Sequence, residues 1–329
     1  MSVSPKRALL IGANYVNTPS SRLYGCIQDI LNVQTMLITQ YGYKPENITV
    51  LRDDIPYSMP VKTTILNALK KIIASSSDSS EIWIHYSGHG TQIADTNGDE
   101  QDKLDECIVP CDYLVSGYIS DDILFDIIRQ STCRTLLFFD SCHSGSVCDL
   151  QYSINYTAGG FTKTQNNNKA IVSNPNVLLM SGCRDEQTSA DTFDTASQKA
   201  VGAFTTALIN TLKGMNYQGD VMTVYNGVCS DLLRNGYKQV SVLSSSVSAP
   251  NYVFGKYTAP APVPTPAPVK PPAPAPAPTP VKPPRPPVKV SMMPLTFSNK
   301  IRPYYTTSYK SADVPTGSMK QRMRHLISL

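Results

Sequence analysis

Short, wholly apolar runs alternate with longer amphipathic ones over the first 140 residues. RALLIG (7–12), ITVLRD (48–53), EIWIHY (81–86) and TLLFFD (135–140) read as strands, and CIVPCD (107–112) as a further one. GCIQDILNVQTMLITQYG (25–42), VKTTILNALKKIIA (61–74) and DDILFDIIRQ (121–130) space their apolar residues three and four apart, which predicts helices. Strands that are apolar on both faces need cover on both sides. The β-α-β rhythm therefore predicts an α/β fold with a mostly parallel sheet flanked by helices.

The rhythm breaks between residues 149 and 175, a polar stretch rich in Gly and Asn that predicts an exposed loop. It resumes with NVLLMSGC (176–183) as a strand, GAFTTALINTLKG (202–214) and VMTVYNGVCSDLLRNGY (221–237) as helices, and NYVFG (251–255) as a last strand. Beyond Thr258 the pattern ends. Of the 26 prolines, 15 fall between Pro260 and Pro287, so residues 258–290 predict an extended polyproline II linker. Residues 291–329 are polar and basic and predict a disordered tail.

Charge follows the same boundary. The net charge is +4, but residues 258–329 hold ten lysines and arginines against the single acid Asp313, leaving a mildly acidic body. That balance singles out neither nucleic acid nor a membrane as a partner. No apolar run reaches the roughly 18 residues of a membrane span. The opening MSVSPKRALLIGANY reads as a strand rather than a signal peptide, so a cytoplasmic location is expected. Eight cysteines lack paired spacing and are expected as reduced thiols.

Two strand ends carry reactive groups. One runs from Tyr86 into Ser87-Gly88-His89-Gly90, the other from Phe139 into Asp140-Ser141-Cys142-His143-Ser144-Gly145. In a parallel α/β sheet both open into the crevice beyond the carboxyl ends of the strands. A thiolate nucleophile needs an imidazole partner and small neighbours that admit a substrate backbone. Gly88 and Gly90 give that clearance, with backbone amides for an oxyanion. His143 is adjacent to Cys142, and neighbouring residues at a strand end point apart, which favours His89 as the base. His85 and His89 lie about 13 Å apart along a strand, too far to share a zinc ion.

SGHG and DSCHSG, each after an apolar strand and 53 residues apart from His89 to Cys142, resemble the caspase-like cysteine peptidases. Within that group the chain resembles metacaspases. Gly25-Cys26-Ile27-Gln28-Asp29 is similar to their GCxxD segment, and residues 98–106 to their acidic loop. Ser120-Asp121-Asp122 is similar to their paired aspartates, and Ser181-Gly182-Cys183 with Gly202-Ala203-Phe204-Thr205 to their smaller C-terminal part. The likeness covers residues 7–257.

The resemblance implies a caspase-like sheet with residues 1–150 as the large catalytic part, 151–175 as a processing loop, and 176–257 as the small part of one domain. It implies a Cys142–His89 dyad, an oxyanion hole from the amides of Gly90 and Cys142, and an Arg- or Lys-binding pocket formed by Asp29, Asp140 and Ser87. The plain alternative for either aspartate is a cap on a helix or strand end. It implies calcium as a non-catalytic activator held by Asp105, Asp121, Asp122 and Asp149. An EF-hand over residues 95–106 fails, because Glu100 stands where the loop requires Gly. The chain resembles the first metacaspase type without its N-terminal prodomain. The implied function is a calcium-dependent, monomeric endopeptidase that cleaves itself, with Lys163 and Lys169 as candidate sites. The other class is an interaction scaffold working through its tail, where Pro280–Arg285 fits a ligand of SH3-like domains.

Overall fold

The computed structural model describes residues 4–95, 103–142, 148–157, 160–166, 171–182, 191–194 and 199–255, all within one compact unit, Met1–Val263. His143, Lys169, Cys183 and the proline-rich and basic tail, including the Pro280–Arg285 motif, lie outside the described residues.

The chain opens with β1 (Lys6–Gly12), α1 (Cys26–Tyr41), β2 (Ile48–Arg52), α2 (Lys62–Ala74) and β3 (Glu81–Ser87). It continues with β4 (Gly90–Ala94), β5 (Leu104–Ile108), the single turn α3 (Tyr113–Ser116), β6 (Ile119–Ser120), α4 (Asp121–Ile128) and β7 (Arg134–Asp140). The second part holds β8 (Tyr152–Thr157), β9 (Gly160–Gln165), β10 (Val177–Ser181), β11 (Asp191–Asp194), β12 (Lys199–Gly202) and α5 (Ala203–Gly214). It ends with β13 (Gly219–Asp220), α6 (Val221–Arg234), β14 (Val242–Ser245) and β15 (Val253–Phe254).

Eight strands form the main sheet in the order β2-β1-β3-β7-β10-β14-β8-β9. The first five are mutually parallel, and the last three are antiparallel additions. The parallel strands are apolar on both faces because each face is covered. Leu10, Trp83, Phe138 and Met180 pack with residues of α1, α5 and α6, while Leu9, Ile84, Leu137 and Leu179 pack with residues of α2 and α4. Among the described residues no helix is long and apolar enough to cross a membrane.

The structure corrects three expectations. The stretch 151–175, expected as an exposed processing loop, contains the hairpin β8–β9, which extends the main sheet. The strand expected over 107–112 lies earlier, at Leu104–Ile108, and stops before Pro110, which has no N–H for a ladder. The last expected strand shrinks to β15, which pairs with β13 outside the main sheet.

Candidate active site

The site is assembled where β3 and β7 end side by side. Their register pairs Ser87 with Asp140, and Gly88 N–H donates to the Asp140 carbonyl at 3.3 Å. The chain therefore leaves the sheet at the same level on both strands, carrying His89 from one and Cys142 from the other. Gly90 then packs against the backbone of Cys142. A Cβ on Gly90 would overlap the Cys142 carbonyl, so only glycine permits this approach.

His89 is half-buried and oriented from its far side. Its Nε2 lies 2.8 Å from the Ser21 carbonyl. A carbonyl only accepts, so Nε2 carries the proton and Nδ1 is the basic nitrogen. Cys142 is half-buried and takes part in no disulfide among the described residues. Burial pushes the Cys107 and Cys111 thiols up to about 12, which leaves both protonated and unreactive at neutral pH.

Asp29 and Asp140 both approach Gly202, although they lie 111 positions apart in the chain. Asp29 lies in the first turn of α1 but does not cap it. Its Oδ2 accepts the Ser87 hydroxyl at 2.6 Å and its Oδ1 accepts the Gly202 N–H at 2.8 Å. Asp140 Oδ2 accepts both the N–H and the hydroxyl of Thr205, each at 2.8 Å. Gly202 sits between the two carboxylates. A Cβ there would overlap Asp140 Oδ2 and come 2.8 Å from Asp29 Oδ2. Asp29, Asp140 and Ser87 are all nearly inaccessible to water, so two negative groups share a low-dielectric corner of the crevice.

His85 belongs to this corner, not to a metal pair with His89. Its Nε2 is 3.1 Å from Thr205 Oγ1. The Thr205 proton is committed to Asp140, so His85 Nε2–H is the donor. Burial lowers the His85 pKa to about 3, and the ring stays neutral.

A second acidic group gathers where β5 meets α4. Carboxylate oxygens of Asp105, Asp121 and Asp122 lie within 4.8 Å of one another, Asp105 on β5 and the other two opening α4. Asp121 also accepts the N–H groups of Glu106 and Asp122 at 3.2 and 2.8 Å. Asp149, the fourth expected ligand, is outside this tight group. Burial, and after it the charges of Asp149 and Asp121, raises the pKa of the Cys148 thiol. Two of the three clustered acids are buried, and the donor set is wholly hard oxygen, which suits a divalent calcium ion.

Lys163 is placed differently from the expectation. It lies within β9 opposite Ile154, and its Nζ donates to the Ser248 carbonyl at 3.2 Å. A peptide bond paired in a sheet is not presented to a cleft, so the β9 pairing argues against self-cleavage at Lys163.

Sequence reasoning missed Ser21, Thr205 and His85 as contributors. Ser21 acts through a backbone carbonyl, which no side-chain pattern signals. His85 and Thr205 act through another residue.

The metacaspase peptidase C14 family model matches residues 6–151. The chain is 35% identical to Metacaspase-1A of Neurospora crassa, an alignment covering 73% of this chain and 63% of that protein. It is 34% identical to Metacaspase-1B of Aspergillus oryzae, covering 73% of this chain and 68% of that protein. This chain belongs to the metacaspase family. It spans about two thirds of the length of these relatives. The metacaspase sheet also matches the crystal structure of Caspase-1 from Spodoptera frugiperda with a TM-score of 0.51 at 16% identity, covering 79% of this chain and 94% of that one. That likeness concerns the fold alone.

Proposed function

We propose that this metacaspase is a cysteine endopeptidase that cleaves after Arg or Lys, with Cys142 as nucleophile and His89 as its base. The observation that carries the specificity is the meeting of Asp29 and Asp140 around Gly202. Two buried carboxylates attract a guanidinium or ammonium group and repel an acidic side chain.

The chemistry follows from the orientation of the dyad. Nδ1 of His89 takes the Cys142 proton, and the thiolate attacks the scissile carbonyl carbon. The carbonyl oxygen gains negative charge beside the amides of Gly90 and Cys142, which donate to it. The C–N bond then breaks, and the imidazolium gives its proton to the departing amine. Water, deprotonated by His89, attacks the remaining thioester and releases the acid product with the thiol restored.

The proposal includes calcium dependence, with Asp105, Asp121 and Asp122 as the ligands. The bound cation would supply positive charge that offsets repulsion among the clustered carboxylates. Self-cleavage is proposed after Lys169 and in the distal tail. In the tail, Lys270, Lys282 and Arg285 are spared because each precedes proline.

Purified protein with calcium should hydrolyse an Arg-terminated fluorogenic peptide, and Cys142→Ala should abolish this with the fold retained. Equal hydrolysis by Cys142→Ala would refute the assignment.

A further inference from the structure

We propose that Tyr15 and Tyr86 are positioning residues for His89, two buried phenols that fix its backbone from both sides. The inference rests on His89 as the base. His89 lies beyond a strand end between two glycines, where the backbone is least restrained by its own side chains. Something else must hold it.

The hydrogen bonds form one closed set. Tyr15 Oη accepts the His89 N–H at 2.9 Å and donates to the Val109 carbonyl at 2.7 Å. Tyr86 Oη donates to the His89 carbonyl at 2.7 Å. The Val109 N–H reaches the same carbonyl at 3.2 Å and Tyr86 Oη at 3.3 Å. Tyr86 Oη also lies 3.3 Å from the Val109 carbonyl and 3.3 Å from Tyr15 Oη, and its 2.7 Å bond to the His89 carbonyl is the shortest of the three. Both hydroxyls are buried, and burial raises both phenol pKa values. The clamp is therefore uncharged throughout the pH range in which a peptidase works.

Tyr15 also carries a backbone signature. Its φ is +53°, a left-handed conformation that costs a non-glycine residue free energy and persists only where surroundings enforce it. Asp53 enforces it. Its carboxylate accepts the N–H groups of Asn14 at 2.9 Å and Val16 at 2.7 Å, bracketing Tyr15 on both sides. The strained turn brings the Tyr15 ring onto the imidazole, with centroids 4.7 Å apart. The same loop supplies the Ser21 carbonyl that holds Nε2. One loop thus fixes the N–H, one ring face and the protonated nitrogen of His89, while Tyr86 fixes its carbonyl. A displacement of about 1 Å at a reacting group can cost on the order of a hundredfold in rate.

The test uses Tyr15→Phe, Tyr86→Phe and the double variant, each with its rings retained and its folding checked by thermal melting. Steady-state kinetics on an Arg-terminated peptide should show kcat lowered about 10- to 100-fold with KM changed less than about twofold. The pH profile of Cys142 alkylation by iodoacetamide should move towards that of an ordinary thiol. In a His89→Ala background, Tyr15→Phe should leave the alkylation rate unchanged, because the residue acts through the imidazole. Should Tyr15→Phe fail to fold, Tyr86→Phe carries the same test. Wild-type kcat and alkylation profile in a folded Phe variant would overturn the inference, as would an equal loss in the His89→Ala background. A wild-type protein without peptidase activity would refute the proposed function, and the alkylation profiles would still decide the clamp.

Discussion

Gly202 donates its amide N–H to Asp29 at 2.8 Å, joining residues 173 positions apart. The contact ties the entrance of α5 to the first turn of α1 and leaves no volume for a side chain between Asp29 and Asp140. Gly202→Ala should therefore displace one carboxylate and lower kcat/KM for Arg peptides at least about tenfold. Alkylation of Cys142 should keep its wild-type rate, since the dyad is untouched. Peptide kinetics and iodoacetamide labelling of the same preparation check both halves. Unchanged kinetics would show that the corner does not bind substrate.

Asp29→Asn and Asp140→Asn keep shape and remove charge. Each should raise KM for Arg peptides and weaken the preference for Arg over neutral citrulline at the same position. A buried charge pair lost on one side typically costs about 2–5 kcal/mol. Measuring kcat/KM for the two peptides isolates that difference from general damage. A preserved ratio would contradict the pocket assignment.

The Asp105–Asp121–Asp122 cluster predicts a calcium-dependent stability. Calcium at 100 times its dissociation constant should stabilise Cys142→Ala protein by about 2.7 kcal/mol, read as a higher melting temperature. Asp121→Asn should remove most of this shift. Identical melting curves in calcium and in chelator would exclude the site.

His85 gives a pH dependence with a definite sign. Its folded pKa, about 3, lies below the ordinary value of 6.5 because burial disfavours the charged ring. The unfolded chain therefore binds the extra proton first. The contribution of His85 is full above pH 6.5 and is lost progressively as pH falls towards 3. His85→Gln should flatten this part of the stability–pH curve in urea titrations. Parallel curves for the variant and wild type would contradict the buried neutral ring.

The parallel half of the fold was legible because its strands are apolar throughout and its helices periodic. The proposed dyad was legible because a parallel sheet ends β3 and β7 side by side, at Ser87 and Asp140. The antiparallel half was hidden by its polar residues. Strand β14 is buried at Ser244 and Ser245 as well as at Val242 and Leu243, so no apolar run marks its full length. Strand β9 is exposed at every position, and its Thr, Lys and Gln side chains imitate a loop. Lys163 reads as part of a loop for that reason, although it lies within β9. The role of Thr205 is not visible in the sequence, since it depends on Asp140 and His85, which only the folded chain brings near.

The most direct test of the central claim is the profile of residues before the scissile bond, measured by mass spectrometry on a peptide library digested with calcium. The account predicts Arg and Lys at that position, no Asp, and no products from Cys142→Ala. A profile led by Asp, or one indifferent to basic residues, would contradict it.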